Sequence, residues 1–445
     1  MPRFLLSLFF TGTVLVVPGS ALADSEETAK EADETTEETT EETTEENDTS
    51  SEEEPAVPSS APATPPSETP APVTPQRLNE ALESSSAGPN AGWNKGFFVE
   101  STDGKFKVKL GGRAQVRLNL DIERGDDGRE VAAAFSIPRA RIGMKGHLFT
   151  KNLKYVLEID FGKGNVSAKK VYVDYTLVDE WVQIRAGHFK KPFSRQQLSS
   201  SARQGLLDRA ITDKAFGAGY DIGLMLHNGK KSKLEWAFAM LNGTGVKSSL
   251  SGDVTVDPAT GEGSIDSGKF SNVPDLFDPS LVLRVAYNHN GIAGYDEIDR
   301  KGGDFRFAVG GGAMIDFDTA DETSSSVTGE IDAIFKVKGF SATAALYLGA
   351  VQDGDDFSSQ TLDQLGFHLQ AGYLAGGKVQ PALRYARVMG MGDEPGVSQE
   401  LGGAVSVLFW GHNVKWVTDF AALAEESLAP DDCDFRVRSQ MQVSF

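Results

Sequence analysis

From about residue 96 to the end of the chain, apolar and polar residues alternate with a period of two. Turns rich in Gly, Asn, Asp and Lys break the alternation at intervals. That period puts successive side chains on opposite sides of an extended backbone, so each run reads as a β-strand with two unlike faces. Sixteen strands are expected, near 105–122, 133–149, 152–162, 168–178, 182–189, 217–227, 232–242, 281–290, 304–317, 327–337, 339–351, 363–374, 377–388, 397–409, 412–424 and 433–445. Most have the ~9–11 residues that a tilted membrane-crossing strand needs. No helix of ordinary length interrupts them, which argues against a βαβ architecture.

The connections alternate in length. The turns at Thr150-Lys151, Asp179 to Trp181, Asn228 to Lys231, Lys338, Ala375-Gly376 and Trp410-Gly411 are short, and those between them are mostly longer, above all 190–216 and 243–280. The eighth connection, 291–303, breaks the rule. Short turns at one rim and long loops at the other describe an up-and-down membrane barrel with both ends of the sheet at the turn rim. The faces agree. Val327, Gly329, Ile331, Ala333, Phe335 and Val337 share one side of a strand whose other side carries Glu330, Asp332 and Lys336. Tyr155, Tyr175, Trp236, Tyr287 and Trp416 suit a lipid-facing belt. The expected fold is therefore all-β: a closed antiparallel transmembrane β-barrel of about sixteen strands.

Composition changes this picture only at the N-terminus. Arg3, the apolar run to Val17 and Ala21-Leu22-Ala23 read as an export signal cleaved after Ala23, the run being shorter than the ~20 residues of a membrane helix. Residues 24–90 hold 19 acids and 2 bases, against 45 and 40 in residues 91–445, so the net charge of −21 belongs mainly to this extension. Its Glu-Glu-Thr-Thr repeats (24–54) and Pro-rich stretch (55–75) offer little to bury and are expected to be disordered, on the periplasmic side of the membrane. The division expected is a signal at 1–23, an extension at 24–90 and a barrel at 91–445. Cys433, the single cysteine, excludes an internal disulfide framework. The glycine-rich pieces at 310–312 and 162–164 open no helix after a parallel strand, and read as strand flexibility and a turn. No cofactor or metal is expected, and no nucleic-acid partner.

The stretch from Val182 to Ile211 carries the most information. Its strand pattern stops at Lys190-Lys191-Pro192, where proline removes a ladder donor, and a polar segment with Arg195, Arg203 and Arg209 follows. His188-Phe189-Lys190-Lys191-Pro192-Phe193-Ser194, Leu207-Asp208-Arg209 and Gly219-Tyr220-Asp221-Ile222-Gly223 resemble the phosphate-selective porin O and P family, with His188 departing from the usual residue after the glycine. The resemblance implies an outer-membrane channel for small anions, a homotrimer, an inward arginine row and pore-loop lysines, for which Lys190 and Lys191 are the candidates. The last strand ends on Phe445, as outer-membrane barrels end on the aromatic residue read by the insertion machinery.

Parity supplies the candidate anion contacts. Lys105, Lys107, Lys109, Arg113 and Arg117 fall on the polar face of the first strand, Arg139, Arg141 and Lys145 on the second, Arg185 on the fifth, and Arg436 and Arg438 on the last. Closure of the barrel would set the last strand beside the first and join these into one basic wall, opposed by few acids such as Asp121 and Asp434. Loop 190–216, with Lys190, Lys191 and Arg195, is expected to fold into the lumen. Inward cations can balance opposing carboxylates or pass anions from site to site, so a weakly selective general porin stands beside the anion channel. Two other classes are weighed. A lipid-hydrolysing barrel would use Ser439, which interrupts the apolar face of the last strand, but no histidine falls on the neighbouring runs. An adhesive barrel would use loop 243–280. Neither an enzyme nor an adhesin is the expected reading.

Overall fold

The computed structural model describes residues 88–445, apart from 126–127, 165, 180, 231, 244–248, 257–262, 272–276, 318–324, 353–359 and 392–395. The signal and nearly all of the extension lie outside the described residues. A hairpin, β1 (Asn90–Trp93) and β2 (Phe97–Glu100), leads into β3 (Lys107–Gly125), β4 (Gly128–Leu148), β5 (Thr150–Asp160), β6 (Ser167–Val178) and β7 (Val182–Lys190). Two short helices follow, α1 (Arg195–Leu198) and α2 (Ile211–Phe216), then β8 (Tyr220–His227) and β9 (Leu234–Leu241). A separate hairpin, β10 (Ser249–Val256) with β11 (Gly263–Ser271), stands in the next connection. The remaining strands are β12 (Ser280–Asn288), β13 (Arg306–Asp316), β14 (Ser326–Val337), β15 (Phe340–Gln352), β16 (Gln360–Tyr373), β17 (Val379–Gly390), β18 (Val397–Trp410), β19 (Val414–Ala424) and β20 (Cys433–Ser444).

Strands β3 to β9 and β12 to β20 form one antiparallel ring of sixteen, with β9 paired to β12 and β20 to β3. They correspond one to one with the sixteen runs of alternating residues. Closure satisfies the backbone donors and acceptors that an open edge would leave stranded in lipid. At the seam Arg436 faces Asp121, Gln440 faces Arg117 and Ser444 faces Arg113. Phe445 closes the last rung by exchanging two 2.9 Å backbone hydrogen bonds with Gly112. Gly112 has to be small, because a Cβ there would lie 2.6 Å from the Phe445 ring. Where β20 stops, the β1–β2 hairpin takes over the edge of β3, pairing Phe97 with Leu110 and Glu100 with Lys107.

Alternation sorts the side chains as expected. Along β14, Ile331 and Phe335 face outward and are exposed, while Glu330, Asp332 and Lys336 face inward and are buried. One connection differs from its expectation: β3 and β4 continue past 123–132 as an extended hairpin, through Glu123↔Glu130 to Gly125↔Gly128. Lys105 precedes β3 and is exposed beside Asp103.

Candidate functional site

The lumen is crossed by two segments, one from each rim. The first is 191–219, between β7 and β8. Proline at 192 ends the strand, and Ser194 caps α1, its hydroxyl accepting from the Gln197 amide at 3.1 Å. Its two ends are seated by apolar contacts. Phe193 and Phe216 join a buried cluster with Tyr172, Met225, Leu241, Val282 and Tyr347 on the inner wall. Burying one such side chain is worth about 1.5–3 kcal/mol. Wall glycines make room: a Cβ on Gly312 would meet the Phe193 carbonyl at 2.6 Å, and one on Gly366 the Phe216 ring at 2.4 Å. The Gly310–Gly312 run is thus a seat for the loop as well as a flexible strand. In mid-course Leu206 and Leu207 pack on Ala382, Ala404 and Val417 of β17 to β19. The loop therefore spans from β7 to the opposite wall, and the expectation that it folds into the lumen is met.

The cations at the root of this loop are taken up by its own backbone and by the barrel wall. Lys190 Nζ donates to the carbonyls of Gln197 at 2.6 Å and Ser199 at 3.3 Å. Arg209 donates to the carbonyls of Gln196, Gln197 and Ser199. Together they satisfy carbonyls that a helix end as short as α1 leaves over. Lys191 Nζ lies 3.1 Å from the Ser280 hydroxyl and 3.5 Å from both Asp221 and Asp316. Arg195 Nε donates to Asp332 at 2.6 Å. All four are buried, whereas Arg203 is half-buried. Asp208 carries the loop's acid to the seam. Its carboxylate accepts from Arg117 at 2.9 and 3.0 Å and from Arg438. Burial pushes its pKa up, but the two arginine charges outweigh that and hold it well below the usual carboxylate range.

The second segment, 289–305, is the long connection that broke the alternation of lengths. It rises from the turn rim and is buried from Gly294 to Asp299. The Glu297 carboxylate accepts from the Gly205 amide at 2.9 Å and from Gln370 Nε2 at 2.7 Å, and the Glu297 amide donates to the Arg203 carbonyl at 3.1 Å. Arg195 donates to the Gly294 carbonyl at 3.2 Å. The two segments are thus joined inside the barrel. The length of this connection is visible in the sequence but its direction is not; the acids Asp296, Glu297 and Asp299 beside apolar Ile292, Tyr295 and Ile298 are the signal that it turns inward.

The basic wall forms where parity placed it. Lys109 faces Lys145, Arg113 faces Arg141 and Gln115 faces Arg139 across β3 and β4. It is opposed by more carboxylates than Asp121 and Asp434, because they arrive from other strands and from the loop. Arg141 pairs with Asp160 at 2.8 Å and Glu158 at 3.3 Å. Arg438 pairs with Asp419 at 2.7 Å, and Arg436 with Asp121 at 3.0 Å. Arg139 donates to Gln115 at 3.0 Å, which in turn donates to Gln442 at 2.7 Å. Arg185 stands apart from this wall, paired with Asp174 at 2.6 Å above the Tyr172 ring. The structure therefore sets Arg113, Arg117, Arg139, Arg141, Lys145, Arg436 and Arg438 along the adjacent strands β20, β3 and β4, with Arg436 and Lys145 toward opposite ends of the wall. It leaves Lys190, Lys191 and Arg195 at the loop's root. Ser439 faces outward, where its hydroxyl accepts from Trp416 Nε1 at 2.8 Å and lies 3.0 Å from the Thr418 hydroxyl.

A closed sixteen-stranded barrel with an apolar belt, a charged interior and an inward loop defines an outer-membrane porin. The profile of the family described as phosphate-selective porin O and P matches residues 108–388, more than half of the chain, and the protein belongs to that family. It is a channel of the outer membrane rather than an enzyme. An uncharacterized protein of Aquifex aeolicus (strain VF5) is 26% identical over 380 residues, covering 76% of this chain and 86% of that one. Among solved structures, the anion-selective porin from Comamonas acidovorans is similar at 12% identity and a TM-score of 0.48, over 76% of this chain and 99% of that one. The outer membrane channel DcaP of Acinetobacter baumannii is similar at 14% identity and a TM-score of 0.49, over 78% and 99%.

Proposed function

We propose that this porin passes small inorganic anions passively, with phosphate and polyphosphate the preferred solutes. The observation that carries the reading is the like-charge pairing on the inner face of β3 and β4. Lys109 directly opposes Lys145 and Arg113 directly opposes Arg141. Like charges directly across a sheet repel, and although Asp160 and Glu158 offset Arg141, the row gathers positive charge on one stretch of the inner wall, where it attracts anions. Arginine suits the task because it stays ionised and presents a fork of donors to an oxyanion. Arg117, Arg139, Lys145, Arg436 and Arg438 extend the same field, and each contact must be weak enough to release the ion. Lys190, Lys191, Arg195 and Arg185 contribute by shaping the constriction. The family's name supports phosphate over other anions. On the same reading the chain is a homotrimer in outer-membrane lipid, inserted through the strand that ends at Phe445. Residues 24–90 then leave the barrel on the periplasmic side, since the β1–β2 hairpin sits at the turn rim.

The test is a planar-bilayer measurement of reversal potential in a chloride gradient, followed by phosphate block of the chloride current. Arg113→Ala removes one charge from the wall. A unit charge ~5 Å from an ion in water is worth about 0.8 kcal/mol, attractive for the anion and repulsive for the cation, so the anion-to-cation permeability ratio should fall by up to about fifteenfold at low salt and less at high salt. An unchanged ratio at low salt in correctly inserted protein overturns the assignment of this wall.

A further inference from the structure

Asp208 is the one acid that the inward loop sends to the basic seam, and its carboxylate is not the only thing that holds the loop there. The loop backbone at this point has its own anchors: Arg384 donates to the Asp208 carbonyl at 2.8 Å and the Leu207 amide donates to Asp419 at 3.3 Å. Leu206 and Leu207 are packed into the wall on the same side. The carboxylate, 12% exposed, instead lies between two guanidinium groups on adjacent strands. Arg117 of β3 grips it with both terminal nitrogens at 2.9 and 3.0 Å, and Arg438 of β20 adds Nη1. Both arginines are pre-set by other partners, Arg117 Nε on Gln440 at 2.9 Å and Arg438 on Asp419 at 3.0 and 2.7 Å.

We propose that Arg117 and Arg438 form an oxyanion site occupied in the resting channel by the loop's own carboxylate, and that phosphate competes with Asp208 for it. The inference rests on the anion-channel reading above and adds a specific site to it. Two arginines oriented by side-chain carbonyl and carboxylate partners present forked donors to one O–C–O edge, and an O–P–O edge of phosphate makes the same bidentate contact. Monoatomic chloride cannot span the fork, so the site discriminates by shape as well as charge. A tethered carboxylate keeps the site from holding phosphate tightly, which is the condition for passage rather than capture. Arg139, close enough to help hold Asp208 ionised, adds to the same field.

The experiment is phosphate block of chloride current through the full-length channel in about 1 M KCl, where the screening length is about 3 Å and only contact effects remain. Asp208→Asn removes the competitor's charge and should lower the half-blocking phosphate concentration by about tenfold, the scale of one charge-assisted hydrogen bond. Adding Arg117→Gln to that variant should reverse the gain. Arg117→Gln alone should raise the half-blocking concentration several-fold, and it decides the matter if Asp208→Asn yields no heat-modifiable barrel. An unchanged half-blocking concentration in either single variant overturns the proposal. A wild-type channel without anion preference or phosphate block would instead overturn the anion-channel reading itself, so the two failures are distinguishable.

Discussion

Two parts of the inner wall carry the same residue types and use them oppositely. Around β12 to β14, each cation is matched to a counter-charge or a carbonyl. Arg284 pairs with Asp332 at 2.5 Å and Glu330 at 3.2 Å, Arg195 with the same Asp332, and Arg306 with Asp299 at 2.7 Å. Lys336 donates to the carbonyls of Ala293 and Ile298 at 2.9 and 3.3 Å. Beside the seam, cations face cations across β3 and β4, while across β20 and β3 Arg436 faces Asp121, and further acids reach the group from β5, β19 and the loop. The first region is a self-neutralised frame on which the inward segments are mounted. The second sets like charges side by side and offsets them with acids from neighbouring elements, which on the proposed reading leaves a field for a passing ion to feel. Inward position alone therefore does not define the proposed selectivity wall; the geometry of each counter-charge must be considered as well.

The largest effect is expected on removal of the acid that the frame arginines share. Asp332→Ala leaves Arg284 and Arg195 with their principal counter-charge gone in a buried setting, a loss that typically costs about 3–5 kcal/mol. The barrel should lose its heat-modifiable form at a markedly lower temperature on a denaturing gel. The same melting temperature as wild type would show that the frame is solvated. Arg113→Ala, in the seam, gives up a buried side chain but relieves its repulsion with Arg141, and should melt less far below wild type. Arg141→Ala belongs between the two, since it strips Asp160 and Glu158 of their arginine.

A smaller effect is expected where the two inward segments meet. Glu297→Ala leaves the Gly205 amide and Gln370 Nε2 without their acceptor, at about 1–3 kcal/mol for the unsatisfied groups. Single-channel conductance should rise, because 289–305 is then held less firmly across the lumen, while reversal potential stays near wild type. A conductance equal to wild type would mean that the junction contributes nothing to the constriction.

The sequence made the strands legible because alternation is a local property. All sixteen barrel strands could be read, and so could the sides on which Arg113, Arg141 and Ile331 lie. Hairpins β1–β2 and β10–β11 were missed, their short runs being embedded in stretches that read as linker and loop. The site was legible only by half. Its cations follow from parity, but their partners do not: Asp208 is 91 residues from Arg117 and 230 from Arg438, and the contact exists only because the loop crosses the barrel. Lys190 looked like a pore lysine because its position in the motif is visible, whereas the carbonyls that it caps are created by the fold of α1.

The last and smallest effect tests the turn-rim segment through pH. His412, in the turn after β18, lies 3.0 Å from Asp296 of that segment. Burial lowers the His412 pKa from the usual 6.5 to about 4, more than the Asp296 carboxylate beside it can restore, and Lys415 and Arg300 act in the same direction as burial. Asp296 is itself held well below its ordinary value, the charges of His412, Lys336 and Arg300 outweighing burial. The signs then separate the two groups. A histidine whose folded pKa is depressed binds its proton first in the released form, so the packed segment loses stability as pH falls from 6.5 toward 4. Asp296 contributes stability that is lost only below its ordinary pKa of 3.8. Between pH 7 and pH 5.5 the histidine alone acts, and one pH unit below its free pKa corresponds to about 1.4 kcal/mol. Conductance should therefore rise modestly on going from pH 7 to pH 5.5, and His412→Gln should flatten that rise. A rise of equal size in both proteins would assign it to another group, and none in either would show that release of 289–305 does not set the conductance.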